Sequence, residues 1–403
     1  MLGYTVFGYN NTYAESKIIY QYGVFLMKIM QFSDSFLPVM DGVGNVTYKY
    51  AKCFAEKGHE SYVVAPQTDT GYRGDMPFEI IDYVGLPLAG LKSYKVGAPG
   101  LDMHCQNRLK MITADIVHVH SPFIAGQAGI TYAQKRNIPI VGMFHSKYYD
   151  DFLQVTGIEL LADIGVKYVV DFYEKCDEVW AVSESSAQTL RSYGFKGSIG
   201  VMPNGTDIPH LTNAVDVDSM YGLSGEKVLL FVGQINWKKN LRCTLEAAAK
   251  LRHPYKLILA GQGPHEKEVS KLASELGISD NVIFTGHISD TDILNSLYKR
   301  ADVFLFPSLY DTSGLVVREA AAMGTPSVVV RGSSAAECIK DGENGFLCEN
   351  DPDSLAQVVT DILGLDDHSL AVIGENAMSQ IPIPWSVITD RVIDRYTHLI
   401  GDK

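Results

Sequence analysis

From Met27 almost to the C-terminus, short apolar runs rich in β-branched and aromatic residues alternate with amphipathic stretches. No other feature constrains the fold as much, because parallel neighbouring strands need a long crossover, and an amphipathic helix is the usual one. The first series includes "KIMQFS" from Lys28, "SYVVAP" from Ser61, "IVHVH" from Ile116, "IPIVGMF" from Ile138, "EVWAVS" from Glu178 and "IGVMP" from Ile199. The second comprises "VLLFVG" from Val228, "KLILAG" from Lys256, "NVIFTG" from Asn281, "DVFLFP" from Asp302 and "PSVVV" from Pro326. Between them lies "PNGTDIPHLTNAVDVDSMYGLSGEK", residues 203–227, rich in turn formers and polar residues. This stretch reads as the connection between two α/β domains, since 403 residues exceed what one hydrophobic core usually supports. Ligands of open α/β sheets sit beyond the carboxyl ends of the strands, so an interdomain cleft is the expected site.

Composition narrows the function classes. A formal net charge of −13 argues against a duplex nucleic-acid binder, which needs clustered Lys and Arg on phosphates. No apolar run approaches the roughly 20 residues of a membrane-spanning helix. The six cysteines form no CxxC pair and suggest neither a zinc site nor a disulfide framework, as in a cytoplasmic protein. Residues 1–26 lack the pattern of a secretory signal and read as an N-terminal extension of uncertain order before the first strand.

Several strand-end segments carry candidate chemistry, each with an ordinary alternative. Gly42 and Gly44 stand just before an amphipathic stretch, where backbone N–H groups would approach a phosphate, or where the chain simply turns. His145 follows the strand from Ile138 and is either a cleft-facing group with a pKa near neutrality or a ring tethered to nearby backbone. His118 and His120 alternate on one face of a strand, a pattern that fits packing better than metal binding. Lys239 opens a helix after "FVGQINWKKN", placing an ammonium beside a helix N-terminus, although a lone lysine is usually a solvated charge. The glycines of "LAGQGP" and "FTGHIS" either admit a planar ligand or form plain turns.

The most informative stretch is "FPSLYDTSGLVVREAAAMGTPSVVV", residues 306–330. A strand enters a small-residue turn, and a helix should begin near Gly314 and stop at Gly324. Asp311 would precede that helix, and Glu319 would lie along it. The spacing by itself also fits an N-cap and a solvated helix residue.

Taken in order, these motifs resemble the retaining glycosyltransferases of family 4, with the GT-B fold of two facing Rossmann-like domains. The resemblance covers nearly everything from Met27 onward, and its most specific part is an acid, seven residues, then Glu, within a "PS.....GL...EA.A.G.P" frame. It implies an acceptor-side domain over 27–207 completed by the C-terminal helix at 383–403, and a nucleotide-sugar domain over 208–382. It also implies that Glu319 accepts hydrogen bonds from ribose hydroxyls, while Asp311 and the amides of Thr312, Ser313, Gly314 and Leu315 face the donor sugar and diphosphate. Lys239 would neutralise the diphosphate, and His287 and Ile288 would border the base. From the first domain, Gly44 would approach the diphosphate and His145 would sit near the donor sugar; Asp311 and His145 are thus the catalytic candidates.

The implied activity is transfer of a hexose from a nucleoside diphosphate sugar to a hydroxyl acceptor with retention, without a metal or other cofactor. The partners implied are the nucleotide sugar and an acceptor lipid, glycan or small metabolite, with no nucleic acid. "FHSKYYDDF" resembles the glycolipid-forming members, so a peripheral contact with the inner membrane face is an expectation. Two departures stand out. Gln234 occupies the usual Arg position of "GR....K", removing a permanent cation. Asp311 replaces the usual Glu and shortens its reach by about 1.5 Å. They motivate the alternative of a catalytically weakened sugar-nucleotide-binding or scaffold protein.

Overall fold

A computed structural model describes residues 26–37, 41–67, 75–88, 91–209 and 214–402. The expected N-terminal extension therefore lies almost wholly outside the described residues. The chain divides into two compact units, one running through Asn204 and resumed from Trp385, the other spanning Gly205–Pro384.

In chain order the first unit holds β1 (Lys28–Phe32), α1 (Gly42–Glu56), β2 (Glu60–Pro66), β3 (Glu79–Tyr83), β4 (Gly85–Leu88), β5 (Leu91–Gly97), α2 (Met103–Met111), β6 (Ile116–Val119) and α3 (Ile124–Gln134). It continues through β7 (Ile140–Phe144), α4 (Tyr148–Thr156), α5 (Glu159–Tyr173), β8 (Glu178–Ala181), α6 (Glu184–Ser192) and β9 (Gly200–Val201). A parallel sheet of order β3-β2-β1-β6-β7-β8-β9 forms its centre, and β4 and β5 pair separately as an antiparallel hairpin.

The second unit holds α7 (Val217–Tyr221), β10 (Lys227–Val232), α8 (Leu241–Ala248), β11 (Tyr255–Ala260), α9 (Glu266–Glu275), β12 (Val282–Gly286) and α10 (Thr291–Arg300). It closes with β13 (Val303–Phe306), α11 (Leu315–Ala322), β14 (Ser327–Val330), β15 (Phe346–Cys348), α12 (Pro352–Leu363) and α13 (Asp367–Gln380). Its six strands are all parallel, in the order β12-β11-β10-β13-β14-β15. In each unit the strand order reverses beside the first strand, so the loops after β1 and β6, and after β10 and β13, diverge around a switch point.

The sheets form because their strands are apolar on both faces. Ile29, Met30, Phe32, Val117 and Val119 of the first unit are fully or almost fully buried, as are Leu229, Leu230, Phe231, Phe304 and Leu305 of the second. Such strands bury both faces only when helices cover both sides. Helix α14 (Trp385–Gly401) returns to the first unit, where Tyr50 of α1 meets Trp385 edge-on at 5.3 Å between ring centroids and Trp180 of β8 stacks on Tyr396 at 5.8 Å. Tyr396 Oη also lies 2.5 Å from His118 Nδ1, and Lys57 pairs with Asp390 at 2.6 Å.

Three details differ from the sequence reading. The stretch read as a connection contains a helix, α7, because Asp216 caps it by accepting from Ser219 N and Gly222 ends it at φ 65°. Strands β3, β4, β5 and β15 escaped notice, since "EIIDY" and "LKSYKVG" mix charged with apolar residues and "GLPL" and "FLC" are only four and three residues long. Finally, Gly42 and Gly44 do not precede α1 but form its first turn, with Asp41 as the cap.

Candidate functional site

In the second unit, the strand-end loops converge because every strand points the same way. After β10 the chain makes one 3-10 turn, Trp237–Lys239, and then takes the left-handed conformation at Asn240, φ 59°, before α8 begins. Lys239 thus precedes α8 rather than opening it. Asn236 caps the 3-10 turn by accepting from Lys238 N at 3.1 Å. Asn240 Nδ2 donates to Pro307 O at 3.0 Å and Asn350 Oδ1 at 2.8 Å, which ties this loop to the one after β13.

That tie brings two predicted residues together. Lys239 Nζ lies 2.6 Å from Asp311 Oδ1, with both side chains about four-fifths buried. Asp311 Oδ2 is buried without a hydrogen-bond partner among the described residues. A buried carboxylate oxygen with no donor is costly. The lysine therefore compensates half of this carboxylate and leaves the other half to be met.

Beyond Asp311, Gly314 takes φ 57° and caps α11 without a side-chain bond. A Cβ there would stand 3.0 Å from the Ala335 Cβ, so packing and backbone conformation both favour glycine. Helix geometry leaves the amides of Leu315 and Val316 without an acceptor four residues back, at the positive end of the helix. Thr312 and Ser313 are half-buried in the turn before it. Glu319 is half-buried one turn on, and its Oε2 accepts from Tyr298 Oη at 3.1 Å. Burial raises the Tyr298 phenol well above its ordinary value, so it remains a donor. Tyr298 was not singled out in the sequence, because a tyrosine on the inner face of an amphipathic helix looks like any core residue.

His287 and Ile288 follow β12, with His287 exposed and Ile288 packed on the core. Their strand is at the sheet edge, two places from β10. The glycines of "LAGQGP" serve loop packing: a Cβ on Gly261 would fall 1.9 Å from Gly233 O, and one on Gly263 2.3 Å from Ile235 O. Gln234 is exposed and accepts from Asn236 Nδ2 at 3.4 Å. The other nearby cations are engaged elsewhere, Lys238 over the Tyr310 ring at 4.2 Å and Arg242 over Trp237 at 5.1 Å.

In the first unit, two sequence expectations need correction. The Gly44 amide is already bonded, donating to Asp41 Oδ1 at 2.7 Å, so a phosphate there would have to displace a carboxylate. His145 is not near neutrality in its titration: burial lowers its pKa to about 3, so the ring is uncharged at physiological pH. Its Nε2 lies 3.2 Å from His120 Nδ1, and His120 Nε2 lies 2.9 Å from Gln31 Oε1.

Two family models match this chain: "Glycosyltransferase Family 4" over residues 40–209 and "Glycosyl transferases group 1" over 221–380. The chain belongs to glycosyltransferase family 4. Among its relatives, alpha-monoglucosyldiacylglycerol synthase of Streptococcus pneumoniae is 28% identical over 360 residues, covering 86% of this chain and 81% of the relative. GDP-mannose-dependent alpha-mannosyltransferase of Corynebacterium glutamicum is 25% identical over 332 residues, covering 80% and 77%. Among solved structures, Anabaena HepE in complex with UDP and glucose superposes with a TM-score of 0.73 at 18% identity, covering 92% of this chain and all of that one. Sucrose-phosphate synthase of Thermosynechococcus elongatus gives 0.77 at 20% identity, covering 93% and 99%. The family member therefore carries two Rossmann-like domains of the GT-B type.

Proposed function

We propose that this glycosyltransferase moves a hexose from a nucleoside diphosphate sugar to a hydroxyl acceptor with retention of anomeric configuration. The observation that carries the reading is the Lys239–Asp311 pair at the switch point of the second sheet, beside the N-terminus of α11. Breaking the bond between the anomeric carbon and the diphosphate leaves negative charge on the leaving oxygen. Lys239 and the amides at the start of α11 offer a cation and oriented N–H dipoles for that charge, the role a metal plays in other phosphate sites. Asp311, relieved of part of its lysine contact by the arriving diphosphate, accepts from a sugar hydroxyl. Glu319, steadied by Tyr298, accepts from the ribose hydroxyls, and neutral His145 serves the donor sugar.

For the acceptor we favour a lipid hydroxyl, supported by two relatives named alpha-monoglucosyldiacylglycerol synthase, at 28% and 23% identity. The reading also places the protein in the cytoplasm, in peripheral contact with the inner membrane face. The test is a panel of UDP, GDP and ADP sugars incubated with the chain and diacylglycerol vesicles, with released nucleotide and glycolipid measured. Transfer from one donor is expected. Binding without turnover on any acceptor would instead mean a sugar-nucleotide-binding protein, the outcome that exposed Gln234 and the shortened Asp311 would then explain.

A further inference from the structure

Helices α8 and α11 of the second unit both begin on a residue in the left-handed conformation that makes no side-chain cap bond, Asn240 at φ 59° and Gly314 at φ 57°. Glycine adopts that backbone freely, whereas a residue with a Cβ is held there by its surroundings. An asparagine at a helix start normally has extended backbone and accepts from an amide of the first turn, a bond that stabilises the helix. Asn240 forgoes both, so its carboxamide serves something other than α8.

Its partners show what. Both N–H bonds of the Asn240 carboxamide are used, one donating to Pro307 O at 3.0 Å and the other to Asn350 Oδ1 at 2.8 Å. The Pro307 carbonyl can only accept, so the amide nitrogen must face it, and Asn350 must then present its oxygen. The three residues follow three strands of one sheet: Asn240 comes after β10, Pro307 directly after β13, and Asn350 after β15, three places from β10 at the sheet edge. Asp351, next in the chain, caps α12 by accepting from Ser354 N at 2.9 Å, which anchors the far end of the bridge. Asn240 is the neighbour of Lys239, and Pro307 stands just upstream of Asp311. The bridge thus spans the same two loops as the 2.6 Å contact of Lys239 Nζ with Asp311 Oδ1.

We propose that Asn240 is a positioning residue for Lys239: by bridging to Pro307 and Asn350 it sets the loop spacing at which the Lys239 ammonium is held beside Asp311 and presented to a diphosphate. The inference rests on the reading of Lys239 as the cation for that diphosphate, and every residue in it belongs to the second unit. Asn240 touches no substrate in this scheme. A lysine carries its charge on a flexible four-carbon stem, so the place of the ammonium depends on a backbone that does not drift. Without the bridge the loop after β10 keeps its 3-10 turn, whose bonds from Lys239 N to Asn236 O and from Asn240 N to Trp237 O are local, but loses its fixed distance from the loop after β13.

The experiment titrates the full chain with UDP, GDP and ADP, and with uridine, guanosine and adenosine, which carry no phosphate. Asn240→Gly keeps the left-handed backbone and removes only the bridge. Diphosphate affinity should fall about tenfold while affinity for the matching nucleoside stays within about twofold. Asn350→Ala, a change at an exposed residue, should lower diphosphate affinity about threefold and do nothing further in the Asn240→Gly background. A lower Tm with an unchanged ratio of diphosphate to nucleoside affinity means that the bridge serves stability alone and overturns the proposal, as does an equal loss for both ligands. If Asn240→Gly does not fold, Asn350→Ala decides on the same ratio. The underlying reading fails separately: wild-type diphosphate affinity in Lys239→Met removes Lys239 from the diphosphate, whatever Asn240 does.

Discussion

A buried acid that has only half of its hydrogen bonding met is an unusual residue, and Asp311 is one. Its position before a helix in the sequence suggested a carboxylate at the positive end, but its spacing could not show that Lys239, 72 residues earlier, would be its partner. Glu319 was legible from the motif, and Tyr298 behind it was not. Removing that phenol in Tyr298→Phe should weaken nucleotide binding severalfold, about 1 kcal/mol, with Glu319→Gln weaker still and overall stability little changed. Isothermal titration with the nucleotide decides it; equal affinity in both variants removes Glu319 from the ribose. The buried histidines give a pH prediction. His118 and His145 are lowered by burial from 6.5 to about 3, and His120 well below 6.5, so between those values the unfolded chain binds protons that the folded chain refuses. Their contribution is whole above pH about 6.5 and is lost as pH falls, by up to about 1.4 kcal/mol per pH unit for each ring. Asp34 acts in the opposite sense, since burial raises its pKa and favours the folded state at lower pH, but it is one group against four, because burial lowers His59 as well. Urea midpoints should therefore fall between pH about 7 and 5, and a flat profile would mean the rings protonate in place.

At the scale of elements, the strand-end loops of the second unit are held by backbone contact. Gly261 shows this best, with φ 146° and no room for a Cβ beside Gly233 O. In Gly261→Ala the loops after β10 and β11 must separate, which should cost about 1–3 kcal/mol of stability and weaken nucleotide binding, because the first of those loops leads into Lys239. Thermal unfolding and nucleotide titration of the variant test both parts; wild-type behaviour in each would show that the loops yield freely. Gly261 and Gly263 of "LAGQGP" had two readings in the sequence, a ligand surface or a plain turn. The structure gives a third, loop-to-loop packing, which no local pattern could show because the contacting carbonyls belong to another strand's loop. Helix α11, by contrast, was legible from its small-residue turn, its helix formers and Gly324, since all of those signals are local.

The whole molecule carries a net charge of −13, and among the described residues no helix is long and apolar enough to cross a membrane. Peripheral contact with the inner membrane face must therefore come from a local feature that outweighs this charge, and absence of binding to anionic vesicles at low salt would count against the lipid acceptor. Sedimentation across a salt series checks this; strong binding that salt weakens would reveal a local basic patch that outweighs the total. By itself the sequence determined the two parallel-sheet domains, most of their strands and the acid–helix motif, because hydrophobic period, turn residues and helix stops act over a few residues. Only the tertiary structure decided that Lys239 meets Asp311, that Tyr298 steadies Glu319, that Asp41 already holds the Gly44 amide, and that His145 is a neutral ring at the end of a chain from Gln31. Those contacts join residues from different strands and helices. Burial, which sets both their partners and their protonation, exists only once the sheets have formed.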